Sequence, residues 1–191
     1  MNANANSDDR LIPAHGGYRK LASFQTASLV YDLTVEFCNI HMTYKTNISP
    51  RTVDQMVQAA RSGRQNIAEG SQASGTSKKT EIKLMSVARA SLEELLLDYE
   101  DFLRQHQLKL WGKNHPRIQE IRSLAYRSDK TYETYKTYLQ DRETAANMLV
   151  CLIHQANFLL DRQLKALEDS FAQDGGFTER LYRIRKGRRG V

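Results

Sequence analysis

What this sequence has little of bounds it first. Three prolines and ten glycines in 191 residues leave room for long uninterrupted helices. The two cysteines, Cys38 and Cys151, stand more than a hundred residues apart in no metal-ligand spacing, and both fall inside apolar helical patterns. Buried free thiols in a reducing cytoplasm are the expectation. No run approaches the ~18 consecutive apolar residues of a membrane span. The opening MNANANSDDR has neither the basic start nor the apolar core of a secretory signal, and residues 1–14 read as a disordered leader. Catalytic signatures are missing too. There is no Gly-x-Ser-x-Gly elbow, no phosphate loop and no dinucleotide fingerprint. A di-iron bundle needs Glu-x-x-His on facing helices. None occurs, and His15, His41, His106, His115 and His154 are scattered. No enzyme active site, metal or cofactor is expected.

What is present is an ordinary globular mixture, 40% apolar and 26% charged. At this length a single hydrophobic core carries stability without staples. The formal charge of +6 is unevenly placed. Residues 177–191 hold Arg180, Arg183, Arg185, Lys186, Arg188 and Arg189 against one acid, Glu179. The rest of the chain is nearly neutral, so the basicity is a property of the tail.

The periodicity predicts four long helices. The first covers about residues 18–41, where Leu21, Phe24, Val30, Leu33, Phe37 and Ile40 recur at three- and four-residue steps with Ala27 and Thr34. The second opens at Ser49-Pro50, a capping hydroxyl before a proline at the first helical position. It buries Val53, Met56, Val57, Ala60, Ile67 and Ala68, and Gly70 is expected to end it in a left-handed cap. Residues 70–77, GSQASGTS, read as a loop. The third helix begins near Ser77 and ends near Gln107, with Ile82, Met85, Ala88, Leu92, Leu95, Leu96, Tyr99, Phe102 and Leu103 on its inner stripe. Residues 116–127 read as a shorter helix. The fourth long helix covers about residues 137–171 and carries Tyr138, Ala145, Leu149, Leu152, Ala156, Leu159, Gln163, Leu164, Leu167 and Phe171. Mostly short connections between long helices imply antiparallel neighbours. The expected fold is therefore all-α: an antiparallel up-down four-helix bundle over residues 15–174, an extra short helix between the third and fourth, and a basic tail over residues 175–191.

Several side-chain groups admit a chemical reading beside a plain one. The acids Glu93, Glu94, Asp98, Glu100 and Asp101 suggest a metal-binding bundle, but lack histidine partners. The Gly/Ser run ends at a helix N-terminus beside Lys78 and Lys79, which suits an anion or phosphate; the plain reading is a solvated helix start. Arg180, Arg183, Arg185, Lys186, Arg188 and Arg189 suit a phosphate backbone or a solubilising tail. The apolar Leu181, Tyr182 and Ile184 suggest that the tail's first half packs as a short helix, leaving RKGRRG mobile. Tyr126, Tyr132, Tyr135 and Tyr138, among Arg122, Arg127, Lys130 and Lys136, either stack on bases or line one helix face against a neighbour.

Residues 55–81, QMVQAARSGRQNIAEGSQASGTSKKTE, and residues 88–103, ARASLEELLLDYEDFL, resemble the four helix bundle protein family, also known as the ribosomal-RNA intervening-sequence protein family. The most telling text is Asn66-Ile67-Ala68-Glu69-Gly70, a Ser/Gly loop, then Ser91-Leu92-Glu93-Glu94-Leu95. Residues 15–32 and 175–185 are similar to a longer subgroup with a C-terminal suffix, so the resemblance spans roughly residues 15–187. It implies an antiparallel four-helix bundle and a ring-like homopentamer. The family also includes the accessory protein of diversity-generating retroelements, a basic pentamer that binds nucleic acid and a reverse transcriptase. Nucleic acid and such a protein partner are thus implied here, although the body of this chain is nearly neutral. Within the motif, Glu69 admits a role as general base or ligand. The preferred reading is structural, with Gly70 at a helix end and Asn66 and Glu69 serving backbone groups or pairing with Arg61, Arg64 or Arg89. Binding through the tail, with Lys78 and Lys79 secondary, is the expected function; a protein-interaction scaffold without nucleic acid is the alternative.

Overall fold

The computed structural model describes residue 12 and residues 14–42, 49–125, 127 and 131–189, and among them the chain is helical without strands. Helix α1 (Ala22–His41) starts a turn later than the periodicity predicts. A 3-10 turn, Tyr18–Lys20, and an extended Leu21 precede it. Ala27, Val30, Leu33, Thr34 and Phe37 are buried as expected, but Ile40 is 45% exposed. The last turn faces inward through His41 instead, whose Nε2 lies 2.7 Å from the Leu139 carbonyl.

Helix α2 (Pro50–Ala73) opens as predicted, with Ser49 Oγ accepting the Arg51 N–H. It does not stop at Gly70. The helix runs on for three residues, so only part of the expected loop is a turn. Gly70 is a packing residue: a Cβ there would sit 3.2 Å from Met85 Cε and 3.3 Å from the Glu81 carbonyl oxygen. Gly63 is tighter still, since its Cβ would meet Leu92 at 2.7 Å. These glycines let α2 approach helix α3 (Lys78–Gln105) closely. Ser77 caps α3 by accepting the Thr80 N–H at 3.2 Å. At its other end Gln107 takes φ 56°, and the Leu108 N–H reaches the Leu103 carbonyl at 2.9 Å, a Schellman closure.

Helices α4 (Pro116–Leu124) and α5 (Tyr132–Lys136), with a 3-10 turn Thr137–Gln140, lead to helix α6 (Arg142–Asp174). The fourth long helix therefore starts at Arg142 rather than 137, because extended Asp141 breaks the path and caps it, its Oδ1 accepting the Thr144 N–H at 2.9 Å. Every residue from Thr144 to Ile153 is buried, as an α-helix covered on all sides must be. The lead-in supplies the cover: Ile118 and Ile121 of α4, Tyr135 of α5 and Leu139 are all buried. Fully buried Asn147 pins the preceding loop. Its Oδ1 accepts the Trp111 N–H at 2.7 Å, and its Nδ2 donates to the Lys109 and Glu143 carbonyls at 2.9 Å. Further along α6, Leu160 rather than Leu159 is fully buried, and Phe171 is exposed.

The long helices pack α1 on α2, α2 on α3, α3 on α6 and α6 on α1. On α2 and α3, and on α3 and α6, the contacting residues follow one another in reverse order. On α3 and α6 the contacts are Lys78 with Ser170, Arg89 with Asp161 and Glu93 with Asn157. On α1 and α6, Ser23 meets Gln163. Met56, Ile67, Met85, Leu92, Leu95, Tyr99 and Leu149 fill the shared interior, where the Tyr99 hydroxyl donates to Thr34 at 3.1 Å. Both cysteines are buried free thiols, and burial pushes Cys38 up to about 12 and Cys151 up to about 11.

Candidate anion-binding site

At the end of the molecule where α2 and α6 finish and α3 begins, the chain builds a polar cleft. Three turn residues, Ser74–Thr76, join α2 to the Ser77 cap of α3. Opposite them, α6 ends at Gly175, whose φ of 71° lies in the left-handed region open to glycine. The turn feeds helix α7 (Phe177–Arg189), and Glu179 Oε2 accepts the Gly176 N–H at 2.8 Å at its start. The backbone N–H groups of Glu179 itself and of Gly176 hold this exposed carboxyl below the usual carboxylate range.

Between these two turns lies a cavity of about 330 Å³, lined by residues 74–78, 174–177, Arg180 and Arg183. Its cations are Lys78, Arg180 and Arg183; its one acid is Asp174. Lys78 Nζ donates to Ser170 Oγ at 2.5 Å, and Arg183 Nη2 donates to the Asp174 carbonyl at 2.7 Å. Nearby Glu81 is buried, which raises its carboxyl pKa, with the charge of Lys78 pulling it back.

The two basic groups singled out from sequence thus meet in part. Lys78 joins Arg180 and Arg183 in one cavity, while Arg185, Lys186, Arg188 and Arg189 continue along α7 as exposed cations. Lys79 is exposed on the first turn of α3. The tail is helical through Arg189, so RKGRR continues the helix that only the first half of the tail was expected to form. Phe177, Leu181 and Ile184 form its half-buried stripe, and none of its residues is fully buried.

The Asn66–Gly70 motif lies elsewhere, on α2. Asn66 Nδ2 donates to the Ser62 carbonyl at 2.9 Å, and Ser62 in turn meets Ser91 of α3 at 2.8 Å. Arg64 lies 4.2 Å from the centre of the Tyr31 ring. Glu69 is exposed and enters no ion pair among the described residues, so its expected arginine pairing is not made. Arg89 pairs instead with Glu93 and Asp161, at 2.6 and 3.0 Å. Of the described tyrosines in that set, Tyr135 is fully buried, and the Tyr138 hydroxyl donates to Glu120 at 2.6 Å. Tyr126 and Lys130 lie outside the described residues. Among the described residues no cluster of His, Cys, Asp and Glu has metal-holding geometry, and no helix is long and apolar enough to cross a membrane.

Sequence reasoning missed Asp174 and the turn hydroxyls as walls of the cleft. Asp174-Gly175-Gly176 signals a helix end, but nothing local signals that this end faces Lys78. Comparison with protein-family models, with curated proteins and with solved structures finds no match to this chain.

Proposed function

We propose that this chain is a non-enzymatic, oligomeric protein that binds nucleic acid through α7 and the start of α3. The observation that carries this reading is the meeting of Lys78 with Arg180 and Arg183 across a hundred residues of sequence, continued by four exposed cations on α7. Cations arrayed along an exposed helix neutralise phosphates without reading bases. The long helices form an antiparallel up-down four-helix bundle with α4 as the extra short helix, a reading supported by the reversed order of their contacts. Membership of the four helix bundle protein family is supported by the ordered motifs over residues 55–103, and a homopentamer in the cytoplasm is what that family implies. Five copies of α7 in one ring would act together and raise avidity.

The test is anisotropy of a labelled duplex or stem-loop RNA over a salt series. Log affinity should fall linearly with log salt, by roughly 0.9 for each phosphate neutralised on a B-DNA duplex. Affinity unchanged after deletion of residues 178–191 rejects the role of α7. One observation favours a second reading, a scaffold that docks a protein such as a reverse transcriptase: Leu97 on α3 and Phe158 on α6 are 57% and 61% exposed. A stable protein complex on pulldown, with no nucleic-acid binding at low salt, selects it.

A further inference from the structure

We propose that α7 of one copy docks on the outer face of α3 of a second copy, joining copies of this chain head to tail. This rests on the oligomeric reading above, names the contact, and does not depend on nucleic acid. The two faces carry matching residues. Along α3, Val87, Ala90, Glu94, Leu97 and Asp101 recur at three- and four-residue steps, and all are exposed. Leu97, 57% exposed, stands between the two acids. Along α7, Tyr182, Arg185, Lys186 and Arg189 recur in the same way on its exposed side, Tyr182 at 67% exposure. Each stripe thus sets an apolar or aromatic group beside charges of one sign, and the two signs are opposite.

Most of these charges lack a partner within the chain. Asp101 pairs with Arg104 at 2.7 Å. Glu94 and its neighbour Asp98 enter no ion pair among the described residues, and neither do Arg185, Lys186 and Arg189. Burial, then the charges of Glu94 and Asp101, push the Asp98 carboxyl above its ordinary range. Like charges crowd at this place, and an arriving cation relieves them. The chain's own α7 does not reach them. Its Arg183 lines the same cleft as Lys78, the first residue of α3. Glu94 lies roughly 24 Å further along α3, and the whole of α7 spans only about 20 Å. The opposite charges therefore meet only between copies. Register selects the direction. With Tyr182 over Leu97, an antiparallel α7 brings Arg185 level with Glu94 and Arg189 level with Ala90. A parallel α7 brings Arg189 level with Arg104, cation on cation. Because the two faces differ, every pair leaves one of each open. The assembly then grows until it closes into a ring or runs on as a filament.

The experiment reads mass by light scattering on the full chain, freed of nucleic acid, over a series of protein and salt concentrations. One helix face is smaller than a standard interface, so mass should rise with protein concentration and fall as salt rises. Two variants change exposed residues only. Glu94→Lys/Leu97→Lys spoils the α3 face, and Tyr182→Ser/Arg185→Gln/Lys186→Gln spoils α7. Each alone should weaken association roughly tenfold or more. Mixed, the two should form a one-to-one pair and grow no further, since the mixture holds one intact face of each kind on different chains. Cross-linking gives a second reading. Leu97→Cys chains mixed with Tyr182→Cys chains should join by a disulfide under mild oxidation, with Cys38 and Cys151 buried and out of play. Leu97→Cys chains that join one another in preference to that mixture mean that like faces meet, and overturn the inference. An assembly whose mass neither variant changes overturns it too and leaves the oligomeric reading standing. A monomer at every concentration and at low salt overturns both.

Discussion

The two ends of the long-helix assembly are built on opposite principles. At the end where α6 begins, two short helices and a loop lie over it and bury every residue from Thr144 to Ile153. At the end where α6 finishes, α7 buries nothing fully, and a polar cleft of about 330 Å³ separates it from the start of α3. Helices α4 and α7 are both short neighbours of α6, yet α4 inserts Ile118 and Ile121 while α7 presents cations. Apolar burial contributes roughly 25 cal/mol per Å², so the first end carries stability. Exposed cations contribute little to stability and much to encounters with anions. One helix thus joins a covered, apolar end to an open, cationic one.

The largest effect that would break this contrast is expected at Asn147. It is fully buried and holds the Trp111 N–H and the Lys109 carbonyl. Asn147→Ala leaves both without their partner in a half-buried loop, and each orphaned group costs up to about 1–3 kcal/mol. Urea denaturation should show a loss of about 2–5 kcal/mol. A loss below about 0.5 kcal/mol would mean that the covered end does not depend on its lead-in. Nucleic-acid affinity, measured below the transition, should stay at the wild-type value.

The covered end was also the less legible of the two. Helix periodicity located the stripes of α1, α2 and α3 because each has one buried face. It misjudged α6, where Ala146, Met148 and Val150 lie outside the predicted stripe and are buried with the help of the lead-in that folds over it. Asn147 is polar within that run and gives no local sign that it is a keystone. Gly70 was misread for a related reason: a glycine that ends a helix and a glycine that admits a neighbouring helix look the same in one dimension. The cationic end was legible residue by residue, since cations announce themselves. Their convergence was not, because it depends on how α2 and α6 end side by side.

A smaller effect is expected at Asp141, where α6 starts. Its carboxylate accepts the Thr144 hydroxyl at 2.6 Å and the Thr144 N–H at 2.9 Å, and these bonds hold it below the usual carboxylate range. A carboxyl with a lowered folded pKa stabilises the fold above its unfolded value of roughly 3.9, and that contribution is lost as pH falls through the lower folded value. Asp141→Ala should cost about 1 kcal/mol at neutral pH. The gap from wild type should narrow as pH falls below about 4. A gap independent of pH would mean that the cap acts through shape alone.

The smallest effect on stability, and the sharpest test of the contrast, is expected on ending the chain after Gly176. That removes all of α7, a helix without one fully buried residue. The half-buried Phe177, Leu181 and Ile184 set the scale of the loss, and the change should stay within about 1 kcal/mol, in the range of surface substitutions rather than core ones. The same truncation removes Arg180 and Arg183 from the cleft and the four cations beyond them. Urea midpoints should therefore stay close to wild type while the salt slope of nucleic-acid binding flattens. A large drop in stability would make α7 part of the folded body, and the division of labour between the two ends would fail with it.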